Sequence, residues 1–214
     1  MKVSHIMYRV QNLDKGVEEF RKRGFEVEYG KEKKPINALI YFSEGPYIEL
    51  LAGSNMPAFF KKLFRLFGQD KLVDRLDSYD THPGGPCGLA LENYKTDLES
   101  EVAVLKKYGY SAFQMKVRRE DTKGRDLRFK VGSPNDIQIP FFMTYFNLDP
   151  KPKAFVHPNG IAKISHVTFG TRKDLFPLIQ ELCDDEMLTI CEGNGVKAVE
   201  FAYVPGQEGA PFVL

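Results

Sequence analysis

The sequence predicts an α+β protein built from tandem βαβββ modules. Two observations carry this prediction. SHIMYRV, starting at Ser4, and SHVTFGT, starting at Ser165, both open a strand-like alternation with Ser-His in a chain that holds only four histidines among 214 residues. The helix stops RKRGFEV (21–27) and KKYGYSA (106–112) also match. One order of elements therefore recurs at a period far longer than that of a solenoid repeat.

In the first module, residues 1–52, the opening strand is followed by a helix over about 14–23. Leu13, Val17 and Phe20 recur at helical spacing, Asn12 can cap the start, and Gly24 sits where a helix ends. FEVEYG, NALIYF and YIELLA then read as three strands, the last two separated by a turn at Ser43-Glu44-Gly45-Pro46. In the second module, residues 86–146, GPCGLALE reads as a strand and residues 97–108 as a helix ended by Gly109. FQMKVRRED, DLRFKVG and IQIPFFMTYF follow as strands, and Pro140 predicts an edge position for the last.

Between the modules, residues 53–85 form a helical insertion in which Phe60, Leu63, Phe64 and Phe67 recur at helical spacing; a helix packed on the sheet is expected, ahead of a lid or a dimer contact. A Pro/Gly-marked linker (147–161) leads to a partial third module (162–214). It has a strand at KISHVTFGT, a helix near KDLFPLIQELC and strands near MLTIC and VKAVEFAYV; the terminal APFVL is the candidate for a missing fourth strand.

Thirty Lys and Arg against 29 Asp and Glu leave no one-sided basic field, so nucleic-acid and membrane-surface partners are not expected. The opening turns polar by Gln11 and no apolar run approaches a membrane span, so a cytoplasmic protein is expected. Cys87, Cys183 and Cys191 lack CxxC spacing and read as buried free thiols.

The chemistry-bearing residues also repeat. The first strand of modules one and three carries a histidine, His5 and His166, and the last strand of each carries a glutamate, Glu49 and Glu200. Two imidazoles and two carboxylates around one point would suit a divalent first-row metal with open positions. The second module departs from this pattern, with Gly88 near the His position and Ile139 near the Glu position. His82 and His157, each before a proline, read as turn or surface residues.

The βαβββ order, SHIMYRVQNLDKGVEEFRKRGFEV and NALIYFSEGPYIELL are similar to the glyoxalase-like domain proteins of the vicinal oxygen chelate superfamily. The resemblance implies a vicinal oxygen chelate fold, in which paired modules form a curved mixed-sheet cup. It also implies a metal (Zn, Ni, Mn or Fe) held by His5 and Glu49, with His166 and Glu200 as the second pair if the third module takes the partner place in its own chain or a neighbouring one.

The activity so implied is that of a metal-dependent lyase or isomerase acting on a small molecule with vicinal oxygens, in which Glu200 or Glu49 moves the proton. Two alternatives stand beside it: a metal-free binding or sequestration protein with an aromatic cup (Phe42, Tyr47, Phe141, Phe142, Tyr145), and an Fe(II) ring-cleaving dioxygenase. A homodimer is a further expectation.

Overall fold

The structure is a computed structural model and describes residues 1–54, 56–206, 212 and 214. The first βαβββ unit consists of β1 (Lys2–Arg9), α1 (Leu13–Lys22), β2 (Glu28–Tyr29), β3 (Asn37–Ile40) and β4 (Tyr47–Leu51). Two helices follow, α2 (Ala58–Leu66) and α3 (Asp70–Thr81). The second unit is β5 (Gly85–Asn93), α4 (Glu99–Lys107), β6 (Ala112–Glu120), β7 (Asp126–Pro134) and β8 (Phe141–Thr144). The remainder is β9 (Ile161–Thr171), a 3₁₀ turn (Lys173–Leu175), α5 (Phe176–Leu182), β10 (Leu188–Glu192) and β11 (Gly195–Tyr203).

Local signals explain the first helix. Asn12 takes extended backbone and its Oδ1 accepts from the Lys15 amide at 3.0 Å, while Gly24 closes the other end at φ +80°. Leu13, Val17 and Phe20 make its buried face. Removing the cap would cost about 1 kcal/mol, and Phe20→Ala about 3–5 kcal/mol.

Eight strands form one mixed sheet in the order β2-β3-β4-β1-β5-β8-β7-β6. Within each unit the first and last strands pair in parallel, and β1 and β5 join the units antiparallel. His5 lies opposite Ala90 and Met7 opposite Gly88. A twofold through the Ile6–Leu89 pair carries His5 onto Gly88 and Met7 onto Ala90. Glu49 stands beside Met7, and Phe141 stands beside Ala90, so Phe141, not Ile139, occupies the place of Glu49 in the second unit. β8 lies inside the sheet, and Pro140 precedes it rather than marking an edge; the edges are β2 and β6.

The sheet curls until those edges meet. Arg119 on β6 donates to the Gly30 carbonyl, and Lys123 pairs with Glu28 on β2 at 2.5 Å. One face carries the main core, in which Ile6, Ile48 and Leu50 pack with Val17, Phe20, Leu105 and Phe142. The inner face carries His5, Met7, Tyr47, Glu49 and Leu51, as strand alternation requires. Phe42 and Phe142 join the main core, whereas Tyr47, Phe141 and Tyr145 belong to the inner side.

β9 is the centre of a separate three-stranded sheet, β10-β9-β11. Its Ile164, Val167 and Phe169 join the main core with Leu178 and Ile179 of α5, so the unit covers the helix-side face of the large sheet. The terminal APFVL lies, apart from Phe212 and Leu214, outside the described residues.

The insertion differs from the packing expected. No residue of α2 is buried; Phe59, Leu66 and Phe67 stand 70%, 83% and 73% exposed. The helix is held instead by charge, with Lys61 on Asp77 and Asp80 and Arg65 on Asp74 and Asp77, and by an edge contact of Phe64 with Phe113. No helix of the described residues is long and apolar enough to cross a membrane. All three cysteines are free, but only Cys183 is buried as expected; Cys87 and Cys191 are half-buried.

Candidate functional site

His5 and Glu49 come together on the inner face. The His5 ring is nearly buried, stacked on Tyr47 with centroids 4.6 Å apart and touched edgewise by Phe141 at 5.3 Å. Its Nε2 lies 3.2 Å from Glu49 Oε2, but the approach is not aligned as a hydrogen bond, and Nε2 has no other partner. Asn37 donates from Nδ2 to the other Glu49 oxygen.

The hydrogen-bond directions behind the ring fix its tautomer. Ser4 has one hydroxyl hydrogen, which it donates to Glu92 Oε2 at 2.6 Å. The 3.0 Å contact between Ser4 Oγ and His5 Nδ1 is then served by a hydrogen on Nδ1. With Nδ1 so anchored, Nε2 is the ring nitrogen turned toward the carboxylate, and at 3.2 Å the two groups call for a proton or a cation between them. Glu92, itself buried, receives a second donor from the Tyr94 hydroxyl at 3.1 Å.

Electrostatics keep the pair distinct from its surroundings. Burial alone would push the Glu49 carboxyl up, but contact with His5, the Asn37 amide and the charge of Arg119 outweigh it and hold the group below its ordinary 4.5. The hydroxyl and thiol groups near it move the other way. Burial pushes Tyr41 up to about 12, Tyr47 well above its usual range, and Cys87, with Glu49 adding to the effect, up to about 12. One ionised carboxylate thus sits among groups held neutral. Solvent still reaches it, for the Glu49 side chain is 19% exposed against 3% for His5.

His166 and Glu200 also meet, but elsewhere. They are cross-strand partners on β9 and β11, and His166 Nε2 lies 2.9 Å from Thr189 Oγ1 on β10. Because the neighbouring Val167 and then Phe169 turn toward the core, His166 faces away from it, and the large sheet separates the two His-Glu pairs. Among the described residues no three His, Cys, Asp or Glu side chains gather to hold a metal. The single four-ligand centre expected from the repeat is therefore not formed.

His157 also differs from expectation. It is buried, with Phe25, Phe42 and Phe155 around its ring, and its Nδ1 accepts from the Glu26 amide at 3.0 Å. His82 is half-buried at the end of α3, as its turn position suggested, and accepts from the Gly84 amide. Sequence reading missed Ser4, Asn37 and Glu92 as parts of the site. Two of them carried a signal, Ser4 in the repeated Ser-His and Glu92 as a charge closing the apolar run GLAL.

The order of strands and the inner-face position of His5 and Glu49 agree with a sequence match: the profile of the glyoxalase-like domain family covers residues 3–182. The chain belongs to the glyoxalase-like domain family. This places it in the vicinal oxygen chelate superfamily.

Among solved structures, the Mn(II)-bound glyoxalase from Novosphingobium aromaticivorans is similar at 11% identity and a TM-score of 0.57, covering 94% of this chain and 64% of that one. Methylmalonyl-CoA epimerase from Streptomyces coelicolor, in complex with 2-nitronate-propionyl-CoA, is similar at 17% identity and a TM-score of 0.41, over 67% of this chain and 95% of that one. The corresponding epimerase from Mycobacterium tuberculosis gives 17% and 0.40, over 70% and 89%. At these identities the likeness to the Novosphingobium glyoxalase shows the fold. No curated protein matches the sequence.

Whether a divalent metal fits this glyoxalase-like site is decided by two observations. In favour, the orphaned Nε2 of His5, with its Nδ1 anchored through Ser4 to a carboxylate, has the arrangement that prepares a histidine as a ligand. Against a closed site, the twofold-related positions are Gly88 and Phe141, and a Cβ on Gly88 would meet Met7 Cε at 2.2 Å. The residues fit a metal held by two side chains, His5 and Glu49, with its remaining positions open.

Proposed function

We propose that the protein acts on a small molecule with adjacent oxygen atoms at the His5–Glu49 pair, as a lyase or isomerase of glyoxalase type. The observation that carries this reading is the Nε2 of His5 turned toward the Glu49 carboxylate at 3.2 Å with no aligned hydrogen bond between them. A divalent metal held by the pair would supply Lewis-acid polarisation of the two oxygens.

The chain's own residues do the rest. Ser4 and Glu92 hold the His5 ring in one orientation, and Tyr47 and Phe141 pack against its sides. Asn37 fixes one Glu49 oxygen and leaves the other toward His5. Kept ionised, Glu49 can accept the proton of a carbon acid at neutral pH. Glu200, the other candidate for that step, is exposed on β11 and is given no part in it.

A second reading, a metal-free binding cup, is favoured by Gly88 and Phe141. Two protein ligands are fewer than the three usual in catalytic sites. In that case Glu49 serves as a fixed acceptor for a ligand hydroxyl. Calorimetric titration with Mn²⁺ and with an α-keto hemithioacetal, each against wild type and Glu49→Gln, separates the readings. Binding and turnover of the hemithioacetal only with Mn²⁺, and neither in the variant, supports the first. Metal-independent binding without turnover supports the second and overturns the first.

A further inference from the structure

We propose that a cleft beside β6, β7 and β8 is a second ligand site, for an anionic small molecule that carries a flat ring, such as a phosphate ester of an aromatic base. The cleft holds about 530 Å³, within the usual range for small-molecule sites. Its lining includes neither His5 nor Glu49, and Tyr94 connects it to them, through Glu92 and Ser4; its donor set does not rest on the function proposed above.

Strand register puts like charges side by side at this cleft. Lys116 lies directly opposite Lys130 and Arg118 directly opposite Arg128, all four on one face of the β6–β7 ladder and all lining the cleft. Such rungs are unfavourable in themselves. The arginine rung is relieved, since Asp126 accepts from Arg118 Nε at 2.7 Å and from Arg128 Nε at 2.9 Å. The lysine rung is not, for among the described residues neither ammonium has a carboxylate partner. Beside it the Thr144 hydroxyl accepts from the Lys130 amide at 3.0 Å, so its own hydrogen remains to be donated. Two ammonium groups and one hydroxyl make a donor set for a tetrahedral oxyanion.

The apolar half of the ligand follows from the rings. Tyr94 and Tyr145 also line the cleft, with centroids 4.9 Å apart and planes 31° apart. Each ring is held by its hydroxyl, Tyr94 on Glu92 and Tyr145 on Asp149. Tyr94 is nonetheless 69% exposed. An oriented, exposed ring lining the same cleft as an uncompensated pair of cations suits a ligand that joins a base to a phosphate.

The test uses ADP, adenosine and inorganic phosphate as probes of the full chain, read by calorimetry and by amide chemical shifts. ADP is expected to bind, to weaken as salt rises, and to lose about tenfold or more in affinity in Lys116→Gln/Lys130→Gln. Tyr94→Ala is expected to weaken ADP and adenosine while leaving inorganic phosphate unchanged. The double lysine variant should melt at the same temperature or higher, because a repulsive rung is removed. Absence of ADP binding, equal ADP affinity in the lysine variant, or a lower melting temperature of that variant would each overturn the proposal.

Discussion

His5 Nε2 and Glu49 Oε2 face each other at 3.2 Å on neighbouring parallel strands, and no aligned hydrogen bond joins them. One residue back, Ser4 gives its only hydrogen to Glu92, so the Ser4–His5 contact is served by a hydrogen on His5 Nδ1. A short polar chain, Tyr94, Glu92, Ser4, His5, Glu49, Asn37, therefore sets what the site can do.

If that chain is a unit, its members couple. Ser4→Ala removes one of two donors from a buried carboxylate and should lower stability by about 1–3 kcal/mol. Glu92→Gln should cost a similar amount, and the double variant clearly less than the sum. Urea unfolding of the four proteins measures this; strictly additive losses would mean that Ser4 and Glu92 act separately.

Cys87 reports the Glu49 charge from a distance. Burial first, and Glu49 next, push its thiol up to about 12, so little thiolate is present at pH 8 and alkylation should be slow. Glu49→Gln removes the second cause and should speed the reaction of Cys87. Site-resolved mass spectrometry of iodoacetamide labelling follows it, and an unchanged rate would place Glu49 too far from Cys87 to act.

His157 should make the protein acid-sensitive. Burial lowers it from 6.5 to about 4, so between those values the unfolded chain takes up a proton that the folded chain refuses. Stability then falls as pH drops from 6.5 toward 4, by an amount on the order of 3 kcal/mol, and is unaffected by this group above that window. Melting temperatures of wild type and His157→Gln across pH 4–7 check the sign; the variant should show a shallower slope.

Much of the fold could be read before any coordinates, because its signals are local. Asn12, Gly24 and Gly109 punctuate helices wherever they stand, and the alternation in YIELL puts Glu49 opposite Ile48 and Leu50. What could not be read was long-range. Apolar alternation in SHVTFGT reveals that one side is buried, not that it covers the back of the sheet rather than the cup. The link from Ser4 to Glu92 spans 88 residues. Counting along the second module placed Ile139 at the glutamate position, whereas the pairing of β5 with β8 puts Phe141 there. The aromatic stripe of α2 misled for a different reason: helical spacing finds an apolar face but not a neighbour to cover it.

On the proposed function, one His-Glu pair, not two, forms the working centre. This is tested most directly by Mn²⁺ binding to protein purified without a metal-affinity tag, followed by electron paramagnetic resonance in wild type, His5→Ala and His166→Ala. One bound Mn²⁺ per chain that is lost in His5→Ala and retained in His166→Ala is the expected result. Loss in both variants alike, or no binding to wild type, would contradict it.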